Sequence, residues 1–77
     1  MDLSRRALIV DDEQDILNLL ERVLAKMKIS SCSADSLSEA KQRLENEASR
    51  IDFCITDMRL PDGDGLDLVD WMQTHAA

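Results

Sequence analysis

The chain has 77 residues, 44% of them hydrophobic and 32% charged, with a net charge of −7. That length supports one small domain or part of one, near the size at which a single core just suffices, and the composition argues against disorder. The few basic residues are scattered, so no basic stripe favours nucleic acid, and no apolar run approaches the ~20 residues of a membrane-crossing helix.

After a polar lead-in, Arg6-Ala7-Leu8-Ile9-Val10 is a short continuous apolar run that ends in Asp11-Asp12-Glu13. Apolar runs without alternation suit a strand buried on both faces, as in a parallel sheet. Asp15 to Lys28 reads as a helix, with Ile16, Leu20, Val23, Leu24 and Met27 spaced for one face. Glu13 and Asp15 near its start and Lys26 and Lys28 near its end complement the helix dipole. No glycine follows, so Lys28 or a neighbour is expected to take the left-handed position that closes the helix.

Ile29 to Ala34 is polar enough for an edge strand. Ser36-Leu37-Ser38-Glu39 has the form of a capping box, and Leu37, Ala40, Leu44 and Ala48 repeat behind it, so a second helix is expected over 37–48. Ser49-Arg50 links it to a third strand over 51–56. A turn over Asp57 to Gly65 then holds one proline, both glycines and three acids. A third helix follows, with Asp64 as its N-cap and Leu66, Val69 and Met72 as its apolar face. Trp71 reads as a packing residue, and His75 is given no role. The pattern is βαβαβα, which implies a parallel sheet covered by helices. Cys32 and Cys54 sit in apolar or small-residue runs and read as free buried thiols, which fits a reducing, cytoplasmic setting.

Ligands of an open parallel sheet bind beyond the C-terminal ends of its strands. Asp11 and Asp12 end strand one and Asp57 ends strand three. If those strands are neighbours, about 4.8 Å apart, three carboxylates converge at one edge. Like charges that close share a cation or a proton, and an all-oxygen set selects a hard divalent ion, Mg2+ or Mn2+. Such a cluster fits phosphoryl chemistry, in which a carboxylate oxygen attacks phosphorus.

These motifs resemble those of the receiver domain of two-component response regulators. Leu8-Ile9-Val10-Asp11-Asp12-Glu13 is similar to the family's first strand and acidic pair, and Asp57-Met58-Arg59-Leu60-Pro61-Asp62-Gly63-Asp64-Gly65 to its D-x-x-[ML]-P-x-x-[DN]-G segment. The wording from Thr56 to Gly63 is closest to the NtrC class, which activates sigma-54 promoters, and within it to type IV pilus regulators. The resemblance implies a flavodoxin-like (CheY-like) α/β sheet of strand order 2-1-3, with residues 1–77 forming a partial receiver domain. It implies Asp57 as phosphoacceptor, taking a phosphoryl group from a histidine kinase, in a module that is not itself an enzyme. It implies Mg2+ held by Asp12, Asp57 and the backbone carbonyl of Arg59, with Asp11 acting mainly through a water, and Pro61 and Gly65 shaping the signalling loop.

The family's fourth and fifth strands, with their hydroxyl residue and phosphate-pairing lysine, have no counterpart here, and transcription would be regulated through an output domain outside these residues. Strand three would then keep an unpaired apolar edge, from which dimerisation by edge pairing or element swapping is expected. Two other readings remain. One is a phosphorylation-incompetent interaction or dimerisation fragment. The other, a haloacid-type phosphohydrolase, wants a second aspartate where Arg59 stands. An EF-hand fails for want of a terminal Glu after Asp62-Gly63-Asp64-Gly65.

Overall fold

The computed structural model of the chain describes residues 5–47 and 51–75. Its elements are β1 (Arg5–Val10), α1 (Gln14–Lys26), β2 (Ile29–Ala34), α2 (Leu37–Glu47), β3 (Phe53–Thr56), β4 (Arg59–Leu60), β5 (Gly63–Asp64) and α3 (Gly65–His75). The main sheet has the order β2-β1-β3, and β1 pairs in parallel with both neighbours. This is the predicted order and fold class.

β1 is central, which explains its unbroken apolar run. Ala7, Leu8, Ile9 and Val10 are all buried, and they divide between the two faces of the sheet. Leu8 and Val10 join Cys32, Ala34, Leu37, Ala40, Leu44, Leu60 and Leu68 in one core beneath α2 and α3. Ala7 and Ile9 join Leu17 and Leu24 of α1 in the other, flanked by Leu20, Phe53 and Ile55. Full burial of a Leu or Ile side chain contributes about 1.5–3 kcal/mol, so this one strand supplies a large part of the stability of a small domain.

The helix faces need correction. In α1 the buried side chains are Leu17 and Leu24 with Leu20 half-buried, whereas Ile16 is exposed, Val23 is 45% exposed and Met27 62%. α1 carries two apolar stripes. The second lies one residue earlier, rotated by about 100°, and a sheet of three strands covers only the first. α3 repeats the effect. Leu68 is buried, with Trp71 and Met72 packed against the same core, while Leu66 and Val69 of the predicted face are exposed. Val69 and Met72 instead line an apolar groove of about 370 Å³ with Cys54, Thr56, Leu68 and Gln73. The groove lies beside β3, which pairs with β1 alone among the described strands.

The ends of the elements follow local chemistry. α1 stops at Lys26, and Lys28 takes a φ of 62°, the left-handed closing position expected in the absence of glycine. α2 starts where its capping sequence placed it, while Ala48 and the Ser49-Arg50 link lie outside the described residues. β3 is shorter than the predicted 51–56, although the Asp52 N–H still donates to the Arg6 carbonyl and the Arg6 N–H to the Asp52 carboxylate. The predicted turn over 57–65 contains a small antiparallel hairpin, with Arg59 opposite Asp64 and Leu60 opposite Gly63.

Candidate acidic site at the strand ends

The register Val10 to Thr56 sets the ends of β1 and β3 side by side. The two chains stay bonded one residue further, since the Asp57 N–H donates to the Val10 carbonyl at 2.9 Å. On the other side of β1 the Asp11 N–H donates to the Ala34 carbonyl at 3.1 Å. Backbone bonding thus fixes where both acids leave the sheet. The structure brings Asp11, Asp12 and Asp57 together, with one carboxylate oxygen of each lying within 4.8 Å of the others. Asp11 and Asp57 are half-buried and Asp12 is exposed.

Two of the acids are partly oriented. Asp11 Oδ1 accepts the Glu13 N–H at 2.9 Å, and Asp57 Oδ1 accepts the Arg59 N–H at 3.4 Å. The second contact places the backbone of Arg59 beside the Asp57 carboxylate. An all-carboxylate donor set suits a hard cation, and the spacing fits Mg2+. Oxygens bound directly to one Mg2+ lie at most ~4.2 Å apart, so a span of up to 4.8 Å suits a mixture of direct ligands and one acid acting through water.

Gly65 explains itself by close approach. A Cβ there would lie 2.5 Å from the Asp57 carbonyl oxygen and 3.1 Å from Thr56 Cγ2, while its N–H donates to the Met58 carbonyl at 3.0 Å. The first residue of α3 is therefore pressed directly on the backbone of Asp57. Asp64 caps that helix as predicted. Its Oδ1 accepts the Asp67 N–H at 3.0 Å, and Asp67 Oδ2 accepts the Asp64 N–H at 3.2 Å. This is a reciprocal capping box written D-x-x-D, a signal present in the sequence but not read there.

Asp62, in the turn between β4 and β5, has partners in α2. Its Oδ1 accepts the Leu37 N–H at 2.8 Å and its Oδ2 the Ser38 N–H at 2.9 Å. The Leu37 bond, then the Ser38 bond, holds this exposed carboxyl below its ordinary range. The Glu39 N–H goes to Ser36 Oγ and the Ala40 N–H to the Ser36 carbonyl, so all four donors of the first turn of α2 are satisfied. The predicted capping box is thus half realised: Ser36 caps, but Glu39 reaches back to the Asp35 N–H and Asp62 supplies the remaining acceptors. Away from the site, burial, and then the neighbouring Cys32, pushes the Cys54 thiol up to about 11. Both cysteines are free.

An open parallel sheet with carboxylates gathered at the C-terminal ends of two adjacent strands defines an α/β protein whose site lies at the crevice where such folds bind their ligands. The chain belongs to the response regulator receiver domain family, whose family model matches residues 7–77. It is 54% identical over 69 residues to the response regulator protein PilR of Pseudomonas aeruginosa, which covers 90% of this chain and 15% of PilR. Among solved structures it is similar to a response regulator receiver protein from Pseudomonas putida, with a TM-score of 0.86, 30% identity, and coverage of 96% of this chain and 60% of that one. It is also similar to the beryllofluoride-activated NtrC4 receiver domain dimer, with a TM-score of 0.78, 29% identity, and coverage of 92% of this chain and 57% of that one. The chain thus spans a small part of PilR and somewhat more than half of these two solved receivers. None of its described helices is long and apolar enough to cross a membrane.

Proposed function

We propose that the chain is the phosphoacceptor part of a receiver domain, with Asp57 accepting a phosphoryl group from a histidine kinase. The observation that carries this reading is the convergence of Asp11, Asp12 and Asp57 within 4.8 Å at the end of β1 and β3. An Asp57 carboxylate oxygen attacks phosphorus, the phosphorus–nitrogen bond of the kinase phosphohistidine breaks, and an acyl phosphate remains on Asp57. Asp12, Asp57 and the Arg59 carbonyl would hold Mg2+, with Asp11 acting through a water. When bound, the ion supplies charge neutralisation between carboxylates and phosphoryl oxygens. The backbone bonds at Asp57 and Asp11 keep the acceptor and the acidic pair in register. In this role the chain is a recipient of phosphate rather than an enzyme acting on a separate substrate.

The likeness to PilR and to an NtrC4 receiver supports placement in a cytoplasmic, sigma-54-linked transcriptional regulator of the NtrC class, with its output domain outside these 77 residues. The test is treatment with Mg2+ and acetyl phosphate or beryllofluoride, with Asp57→Asn as control. Modification or binding confined to the chain with Asp57 intact supports the reading, and none at Asp57 overturns it.

The edge of β3, which pairs with β1 alone among the described strands, and its apolar groove favour a second role, homodimerisation through that edge. The same feature supports the alternative of an interaction fragment that is not phosphorylated. A monodisperse monomer by sedimentation at tens of micromolar would exclude the dimer.

A further inference from the structure

We propose that Asp62 is a positioning residue for the acidic site: its carboxylate ties the far end of the β4–β5 hairpin to the start of α2 and so sets where Arg59 stands beside Asp57. The proposal rests on the phosphoacceptor reading for its consequence, and on the hairpin geometry for its substance.

The hairpin is an arm with two fixed ends. At its root the Arg59 N–H meets Asp57 Oδ1 and the Gly65 N–H meets the Met58 carbonyl. Along the arm Arg59 pairs with Asp64 and Leu60 with Gly63. At the tip Asp62 accepts the N–H groups of Leu37 and Ser38 at 2.8 and 2.9 Å. Beside it the backbone of Gly63 is packed so tightly on Leu37 that a Cβ would collide with that side chain. Leu60, between root and tip, is buried in the same core as Leu37.

Two ladder pairs alone make a weak hairpin, since isolated two-stranded ribbons are marginal in water. The arm therefore depends on its anchors. Leu60 and Gly63 supply contact without direction. The Asp62 carboxylate supplies direction, because two charge-assisted bonds to successive N–H groups of one helix turn fix both its distance and its angle. At the root the Gly65 N–H holds the Met58 carbonyl at 3.0 Å, but the Arg59–Asp57 contact itself is long at 3.4 Å, so the orientation of Arg59 depends on the tip as well as on the root. A helix cap alone would serve α2. This cap comes from the loop that begins at the acceptor.

The test uses the 15N-labelled full chain as wild type, Asp62→Ala, Asp62→Asn and Asp57→Asn, titrated with Mg2+ and followed by amide chemical shifts. Asp62→Ala is expected to weaken Mg2+ roughly fivefold, less than the ~10–100-fold that follows loss of a group bonded to a ligand itself. It should also abolish the Mg2+-induced shifts of the Leu37 and Ser38 amides. Asp62→Asn keeps one acceptor oxygen and should fall between. Folded Asp62→Ala with a lowered melting temperature but unchanged Mg2+ affinity overturns the proposal, because Asp62 is then only a helix cap. If Asp62→Ala does not fold, Asp62→Asn decides by the same affinity criterion. If wild type shows no Mg2+ binding that Asp57→Asn removes, the phosphoacceptor reading fails instead. The metal-free spectra then judge the arm: Asp62→Asn that moves the Arg59 and Leu60 amides supports it, and unmoved amides overturn it.

Discussion

Replacing Gly65 with alanine places one methyl group against the least yielding part of the site. The added Cβ would sit 2.5 Å from the Asp57 carbonyl oxygen, against the ~3.3 Å of an ordinary close carbon–oxygen contact, so the backbone must part by roughly 0.8 Å. Neither partner gives easily. The Asp57 N–H is bonded to Val10 and the Gly65 N–H to Met58. Overpacking of this kind costs up to about 3 kcal/mol. Alanine returns less than about 1 kcal/mol in helix propensity, because Gly65 is the first residue of α3 rather than an interior one. The net loss is about 2 kcal/mol, which in a domain of this size lowers the melting temperature by ~8–16 °C. Urea titration followed by far-ultraviolet circular dichroism and by Trp71 fluorescence measures it. The Asp57 amide resonance should move as well, since the strain falls on that peptide. A change below ~0.5 kcal/mol, with the Asp57 amide unmoved, would refute the close-contact account of Gly65.

Lys28→Gly should stabilise the fold by about 0.5–1 kcal/mol in the same urea assay, because it relieves a left-handed non-glycine residue at φ 62°. Leu68→Ala removes a fully buried side chain and should cost about 2–5 kcal/mol. Leu66→Ala, on the exposed side of α3, should change stability by no more than ~0.5 kcal/mol, so equal effects would mean the helix face is wrongly placed. At pH 8 a thiol with its pKa raised from 9.0 to about 11 carries roughly 100-fold less thiolate, so Cys54 should react with a thiol reagent correspondingly slowly until the chain is unfolded. Burial penalises the charged thiolate in the fold, so this group makes stability fall as pH rises through the interval between those two values. Fast labelling of folded Cys54 at pH 8 would contradict the raised thiol pKa that its partial burial imposes.

What could be read from the sequence was local. The unbroken run into Val10, the Ser36 cap and an acid at the end of β1 and of β3 each depend on neighbours within a few positions. They located β1 and α2, whereas the meeting of Asp57 with Asp11 and Asp12 also needed β1 and β3 to be neighbours. The buried faces of α1 and α3 were misread for a different reason. Each helix carries more apolar surface than three strands can cover, and the choice between stripes is made by the width of the sheet rather than by periodicity. Val23 and Met27 look like core and lie in the open for that reason. Asp62 was missed because its partners are 25 and 24 residues away, and nothing in Pro61-Asp62-Gly63 points to Leu37. Only the packing of the hairpin on α2 creates that bond.

The hairpin over 57–65 also turns a surface loop into a ruler. Loops usually absorb insertions and deletions at small cost. Here the span is measured at both ends and in the middle, by Gly65 against Asp57, by the Arg59–Asp64 pairing, and by Asp62 on the first turn of α2. One residue more or less would shift all three marks at once and carry the Asp64–Asp67 cap of α3 with them. This segment should therefore vary in residue type, at exposed Met58 for instance, far more freely than in length.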